Sequence, residues 1–88
     1  MEIVVNQCYG GFSVSQEFQE LYPQYNNAER TDPAFISALR NFGLNEASGL
    51  FAQLAIVEIP AEATDWELDE YDGWEGITYV VDGKIYHA

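Results

Sequence analysis

Two Asp-Gly dipeptides, Asp72-Gly73 and Asp82-Gly83, constrain this chain more than any other feature. Asp-Gly between strand-like segments signals a two-residue hairpin, because both turn residues need the positive φ that matches strand twist. Before the first turn, Trp66 and Leu68 alternate with Glu67 and Asp69, the period-two pattern of a strand with one wet face. Gly76 to Val81 lies between the turns, and Lys84 to His87 follows the second. The last third should therefore run back and forth as an antiparallel meander. A two-residue turn at Asp82-Gly83 sets Val81 opposite Lys84 and Tyr79 opposite Tyr86. Ile77, Tyr79, Val81 and Tyr86 then share one face, and Thr78, Val80 and Ile85 the other. One face must be core. The other is either a docking or homodimer surface, or cross-strand pairing that only steadies the sheet.

Upstream, Ile3-Val4-Val5 is a run of β-branched residues that reads as a strand buried on both faces. Gly10-Gly11 marks a turn needing positive φ or close backbone approach. Ser15 suits a helix N-cap, since Phe18, Leu21, Tyr22 and Tyr25 then line one face, and Pro23 stops that helix. Asp32-Pro33 opens a second helix with the stripe Phe35, Ile36, Leu39 and Phe42, closed by Gly43 after Arg40. Residues 44–49 read as loop, and residues 50–59 as a strand, central and buried over Ala52 to Val57 and ended by Pro60. The order β-α-α-β-β-β-β predicts an α+β fold, an antiparallel meander with two helices packed on one face, in a single domain over residues 1–88.

The chain carries 15 Asp and Glu against 3 Lys and Arg, a net charge of -12. That excess opposes nucleic acid and anionic membranes, which need cations on the protein. At 48% hydrophobic and 15% aromatic, the chain is nonetheless too apolar for intrinsic disorder. The lone Cys8 allows no internal disulfide, and no leader-like start or membrane-length apolar run is visible. Together these point to the cytoplasm.

The segment from Asp65 to Glu75 holds six carboxylates and both tryptophans. On a strand, Glu67 and Asp69 lie roughly 6.6–6.8 Å apart on one face. Such a row imitates a nucleic-acid backbone and suits a basic cleft, although any solvated strand face looks similar. Tyr and Trp are enriched at binding hot spots. The candidate partner-binding set is Asp65, Trp66, Glu67, Asp69, Glu70, Tyr71, Asp72, Trp74, Glu75, Tyr79 and Tyr86. A calcium loop is not expected, because Glu70 and Gly76 stand where such a loop needs Gly and Glu. No cofactor or metal site is expected, since Cys8 and His87 fall short of a zinc ligand set. Cys8 as a nucleophile with His87 as its base is the enzymatic alternative. Burial of Cys8 as a small hydrophobe accounts for it more simply, so no catalysis is expected.

The stretch from Ile3 to Ser15, with its Cys8-Tyr9-Gly10-Gly11-Phe12 turn, resembles a group of small phage and prophage proteins. The likeness extends to Thr31-Asp32-Pro33-Ala34, Val57-Glu58-Ile59-Pro60, Trp66-Glu67-Leu68 and Glu70-Tyr71-Asp72-Gly73. It stops at the final hairpin, where those proteins tend to end in a basic strand containing His and Trp. The resemblance implies a viral setting and no particular chemistry. The expected role is a phage-derived module binding a host protein with a basic or amphipathic surface. Such a partner would be a defence sensor or a nucleic-acid-handling enzyme, which the module inhibits or triggers. A homo-oligomeric virion component is the structural alternative.

Overall fold

The computed structural model describes residues 1–88. The elements are β1 (Glu2–Asn6), α1 (Gln16–Leu21), a 3-10 turn (Pro23–Tyr25), α2 (Pro33–Phe42), α3 (Leu44–Ala47), β2 (Leu54–Glu58), β3 (Asp65–Tyr71), β4 (Trp74–Val81) and β5 (Lys84–His87). The fold is α+β with the expected β-α-α-β-β-β-β order, plus the single turn α3. That turn escapes sequence reading because four residues are too few to show a period. Its Ala47 is fully buried, and Leu44 packs on the helical core.

Both predicted helix starts form. The Ser15 hydroxyl accepts from the Phe18 N–H at 3.2 Å. Asp32 Oδ1 accepts from the Ala34 N–H at 2.9 Å, with Pro33 in the first helical turn and Gly43 at the C-cap (φ 100°). Leu21, expected on the apolar face of α1, is exposed. The helix ends at that residue, and Tyr22 takes the inward position instead, its ring 5.0 Å from Phe18.

The strands divide into two antiparallel sheets, β1-β2 and β3-β4-β5. β2 therefore pairs with β1 and not with the meander. Ile3 faces Val57, Val4 faces Ile56, and Val5 faces Ala55. Alternation sends Val4, Leu54 and Ile56 into a cluster with Phe18, Phe35, Ile36, Ala38, Leu39 and Ala47. It sends Ile3, Val5, Ala55 and Val57 the other way, against Ile59, Ile77, Trp66, Leu68 and Tyr79. The β1-β2 ribbon is thus a middle layer, with helices on one side and the meander on the other. The three β-branched residues of β1 are fully buried because each face of the strand meets a different core.

Where a strand was expected from residue 50, Leu50 and Phe51 instead stand in a turn, with the Ala52 N–H bonded to Gly49 O at 3.1 Å. The strand is confined to Leu54–Glu58. β1 and α2 are further tied by an exposed ion pair between Glu2 and Arg40. The hydrogen bond from Arg40 holds the Glu2 carboxyl below its ordinary pKa, and the same bond raises that of Arg40.

Candidate partner-binding surface

Both hairpin turns adopt the conformation their Asp-Gly pairs imply, with φ of 52° and 90° at Asp72-Gly73 and 49° and 75° at Asp82-Gly83. The register follows. Tyr71 opposes Trp74, Asp69 opposes Gly76, Glu67 opposes Thr78 and Asp65 opposes Val80. On the other side Val80 opposes Ile85 and Tyr79 opposes Tyr86. Paired residues share a face, so the candidates separate into two groups.

Asp65, Glu67, Asp69, Tyr71 and Trp74 lie on the outer face, with Thr78, Val80, Ile85 and His87. All five candidates there are exposed, and no Lys or Arg shares that face. A shallow recess of about 170 Å3 lies between Asp65, Glu67, Thr78, Val80 and Ile85, with Trp66 at its margin. The Thr78 hydroxyl donates to Asp69 and lies 3.1 Å from His87 Nδ1. A hydroxyl has one proton, so with Thr78 donating to Asp69 the contact with His87 requires the Nδ1–H tautomer as donor.

Trp66, Glu70, Glu75, Tyr79 and Tyr86 take the inner face. Trp66 and Tyr79 are half-buried against the second core, and Tyr86 stacks on Tyr79 with ring centroids 5.5 Å apart. Glu70 accepts from the Gly73 N–H at 2.8 Å, and Asp72 sits in the turn itself. Glu75, expected among the partner-binding residues, is only 5% exposed and is not offered to a partner. Strand parity aims it inward at the end of β1. There its Oε1 accepts from the Asn6 N–H at 2.8 Å and from Arg30 Nη1 at 2.5 Å, and its Oε2 accepts from Arg30 Nη2 at 2.9 Å.

Arg30 closes that corner. Its carbonyl accepts from the Val4 N–H at 2.9 Å, and its Nη1 also reaches Val4 O at 3.3 Å. The guanidinium lies 3.5 Å from the centroid of the Phe12 ring. Arg30 therefore does for β1 what a further strand would otherwise do, satisfying polar groups on its open side.

Asn6 is the second part of this buried hub and the residue that sequence reasoning passed over. Fully buried, it accepts from the Gln53 N–H at 2.8 Å and donates to Cys8 O at 2.7 Å and Gly73 O at 2.8 Å. One side chain thus joins the turn before β2, the loop after β1 and the first meander hairpin. Its only trace in the sequence is an amide ending an apolar run.

The Gly10-Gly11 turn uses both freedoms expected of it. A Cβ on Gly10 would lie 2.0 Å from Phe51 O, and Gly11 has φ 90°. Gly73, with φ 90°, nests against the same loop, where a Cβ would come within 2.5 Å of Gly11 N. Tyr9 emerges from this junction, its ring 5.1 Å from that of Trp74. His87 belongs opposite Thr78, four residues along β4 from Trp74, or about 13 Å at the usual strand rise. It does not stand beside the Cys8 loop as the base of an enzymatic pair.

No group of three or more His, Cys, Asp and Glu residues is arranged to hold a metal ion. No helix is long and apolar enough to cross a membrane. Compared with protein-family models, curated proteins and solved structures, the chain matches none.

Proposed function

We propose that this chain is an acidic protein-binding module that engages a basic or amphipathic surface on another protein through the outer face of its meander. One observation carries the reading: Asp65, Glu67, Asp69, Tyr71 and Trp74 share an exposed sheet face without a Lys or Arg. Arg30 and Arg40 are held by Glu75 and Glu2, and Lys84 sits at the far turn on the opposite face. A surface of one sign steers and selects partners of the other. The likeness of the opening motifs to small phage and prophage proteins supports a bacterial cytoplasmic setting. There the partner is a defence sensor or a nucleic-acid-handling enzyme, and the module is its inhibitor or its trigger.

The test is affinity capture from bacterial lysate at about 50 and about 300 mM salt, because exposed charge pairs weaken as the Debye length shrinks. The wild-type chain should retain a basic protein at the lower salt and lose much of it at the higher. Glu67→Lys with Asp69→Lys should abolish retention while leaving the fold intact. Equal retention by both chains at both salts would end the proposal.

A further inference from the structure

Five of the nine exposed large apolar side chains gather in one region, apart from Met1, Leu21, Ile85 and Tyr86. Leu50 is 90% exposed, Tyr71 79%, Phe51 68%, Tyr9 62% and Trp74 44%. Phe51 has its backbone against Gly10, Tyr9 is the residue before Gly10, the Tyr9 ring packs at a tilt against Trp74, and Trp74 is the cross-strand partner of Tyr71. The result is one strip running from the turn before β2, over the loop after β1, to the outer face of the meander. None of these residues packs into either hydrophobic core. Exposed contiguous apolar surface of this kind marks an interaction site more often than a scattered surface residue does.

All three segments are bound to Asn6, through Gln53 N, Cys8 O and Gly73 O. The backbone segments that carry the rings are therefore joined before any partner arrives, which lowers the ordering cost of association. Asp69 neighbours Tyr71 along the outer face, and Asp72 follows it in the turn, so the strip has a carboxylate margin. Lys84, the one cation outside an ion pair, lies seven residues along β4, about 23 Å away.

We infer that Phe51, Tyr9, Trp74 and Tyr71 form the apolar centre of the binding surface, and that it takes a protein presenting an apolar cleft bordered by Lys or Arg. This rests on the acidic-module reading and adds two segments outside the meander to it. A second copy of the chain is a poor occupant, because it would set carboxylate margin against carboxylate margin within a molecule of charge -12. A partner with basic borders removes that repulsion and covers the rings, giving the hot-spot arrangement of an aromatic centre inside a polar rim.

The probe is a synthetic amphipathic helix of leucine and lysine, apolar along one face and bordered by lysine, with binding read from tryptophan fluorescence. Wild-type chain should bind it, and bind at least about tenfold more weakly a peptide with glutamate in place of lysine. Phe51→Ser with Tyr71→Ser, both outside the cores, should lower affinity about tenfold or more at an unchanged urea midpoint. Asn6→Asp, if folded, should weaken binding although Asn6 does not reach the surface. Unchanged peptide affinity in the Phe51/Tyr71 variant overturns the inference. If Glu67→Lys with Asp69→Lys still weakens binding in that case, the acidic-face reading survives alone. If neither variant weakens it, both fall. Sedimentation as a dimer that the Phe51/Tyr71 variant dissociates, or binding to zwitterionic phosphatidylcholine vesicles, would assign the strip to a different occupant and also overturn it.

Discussion

Glu75 shows how a carboxylate that looks like surface charge in the sequence becomes structural. Removing one member of a largely desolvated pair leaves the other without compensation, at a cost of several kcal/mol when both are fully buried. Arg30 keeps partial contact with water, its side chain 27% exposed, so the cost here is smaller. Glu75→Ala should lower unfolding free energy by about 2–3 kcal/mol, because the Asn6 N–H and Arg30 both lose their acceptor. The double change Arg30→Met with Glu75→Met should cost less than the single, since it leaves no unpaired charge. Urea unfolding of the two variants measures this. A Glu75→Ala protein as stable as wild type would remove the hub from the account of how the loop, turn and hairpin are joined.

At the scale of elements, the hairpins separate what a glycine does for its own turn from what it does for its neighbours. Gly73 and Gly83 both have positive φ, so alanine strains either one. Only at Gly73 would the new Cβ also strike backbone, 2.5 Å from Gly11 N and 2.8 Å from Tyr9 O. At Gly83 it would meet nothing. Gly83→Ala should therefore cost about 1 kcal/mol, and Gly73→Ala about 2–3 kcal/mol with a displaced Tyr9–Trp74 pair. Chemical denaturation and near-ultraviolet circular dichroism check the two effects together. Equal losses at both sites would mean that the hairpin does not dock on the loop after β1.

For the whole molecule, the excess negative charge opposes compaction. Two of the 3 cations are committed to single carboxylates, which leaves most of the 15 acidic groups without a partner of opposite sign. Added salt shortens the range of their mutual repulsion. The thermal midpoint at neutral pH should accordingly rise by several degrees between about 20 and about 300 mM sodium chloride, since roughly 1 kcal/mol moves a domain this small by about 4–8 °C. A falling midpoint would show that the attractive pairs Arg30–Glu75 and Glu2–Arg40 outweigh the summed repulsion. Between its two cores, the ribbon β1-β2 transmits none of this charge inward: its buried residues are apolar apart from Asn6.

What depended on local chemistry was legible in the residue order. The Asp32-Pro33 helix start, the Ser15 cap, both Asp-Gly turns and the pairing of Tyr79 with Tyr86 each follow from backbone preferences acting over a few residues. So did the outward row Asp65, Glu67 and Asp69, because strand alternation is a local rule. Which strand β2 would choose, and that an inward-facing Glu75 would meet Arg30, depended on segments 45 or more residues apart meeting in space. Hydropathy reads the Leu50-Phe51 pair as the start of a strand and cannot register Gly10, far earlier in the chain, which lets the two segments pass in close contact and leaves Phe51 in water. Local preferences set the pieces, and the burial of β1 between two unrelated cores decided how they were joined.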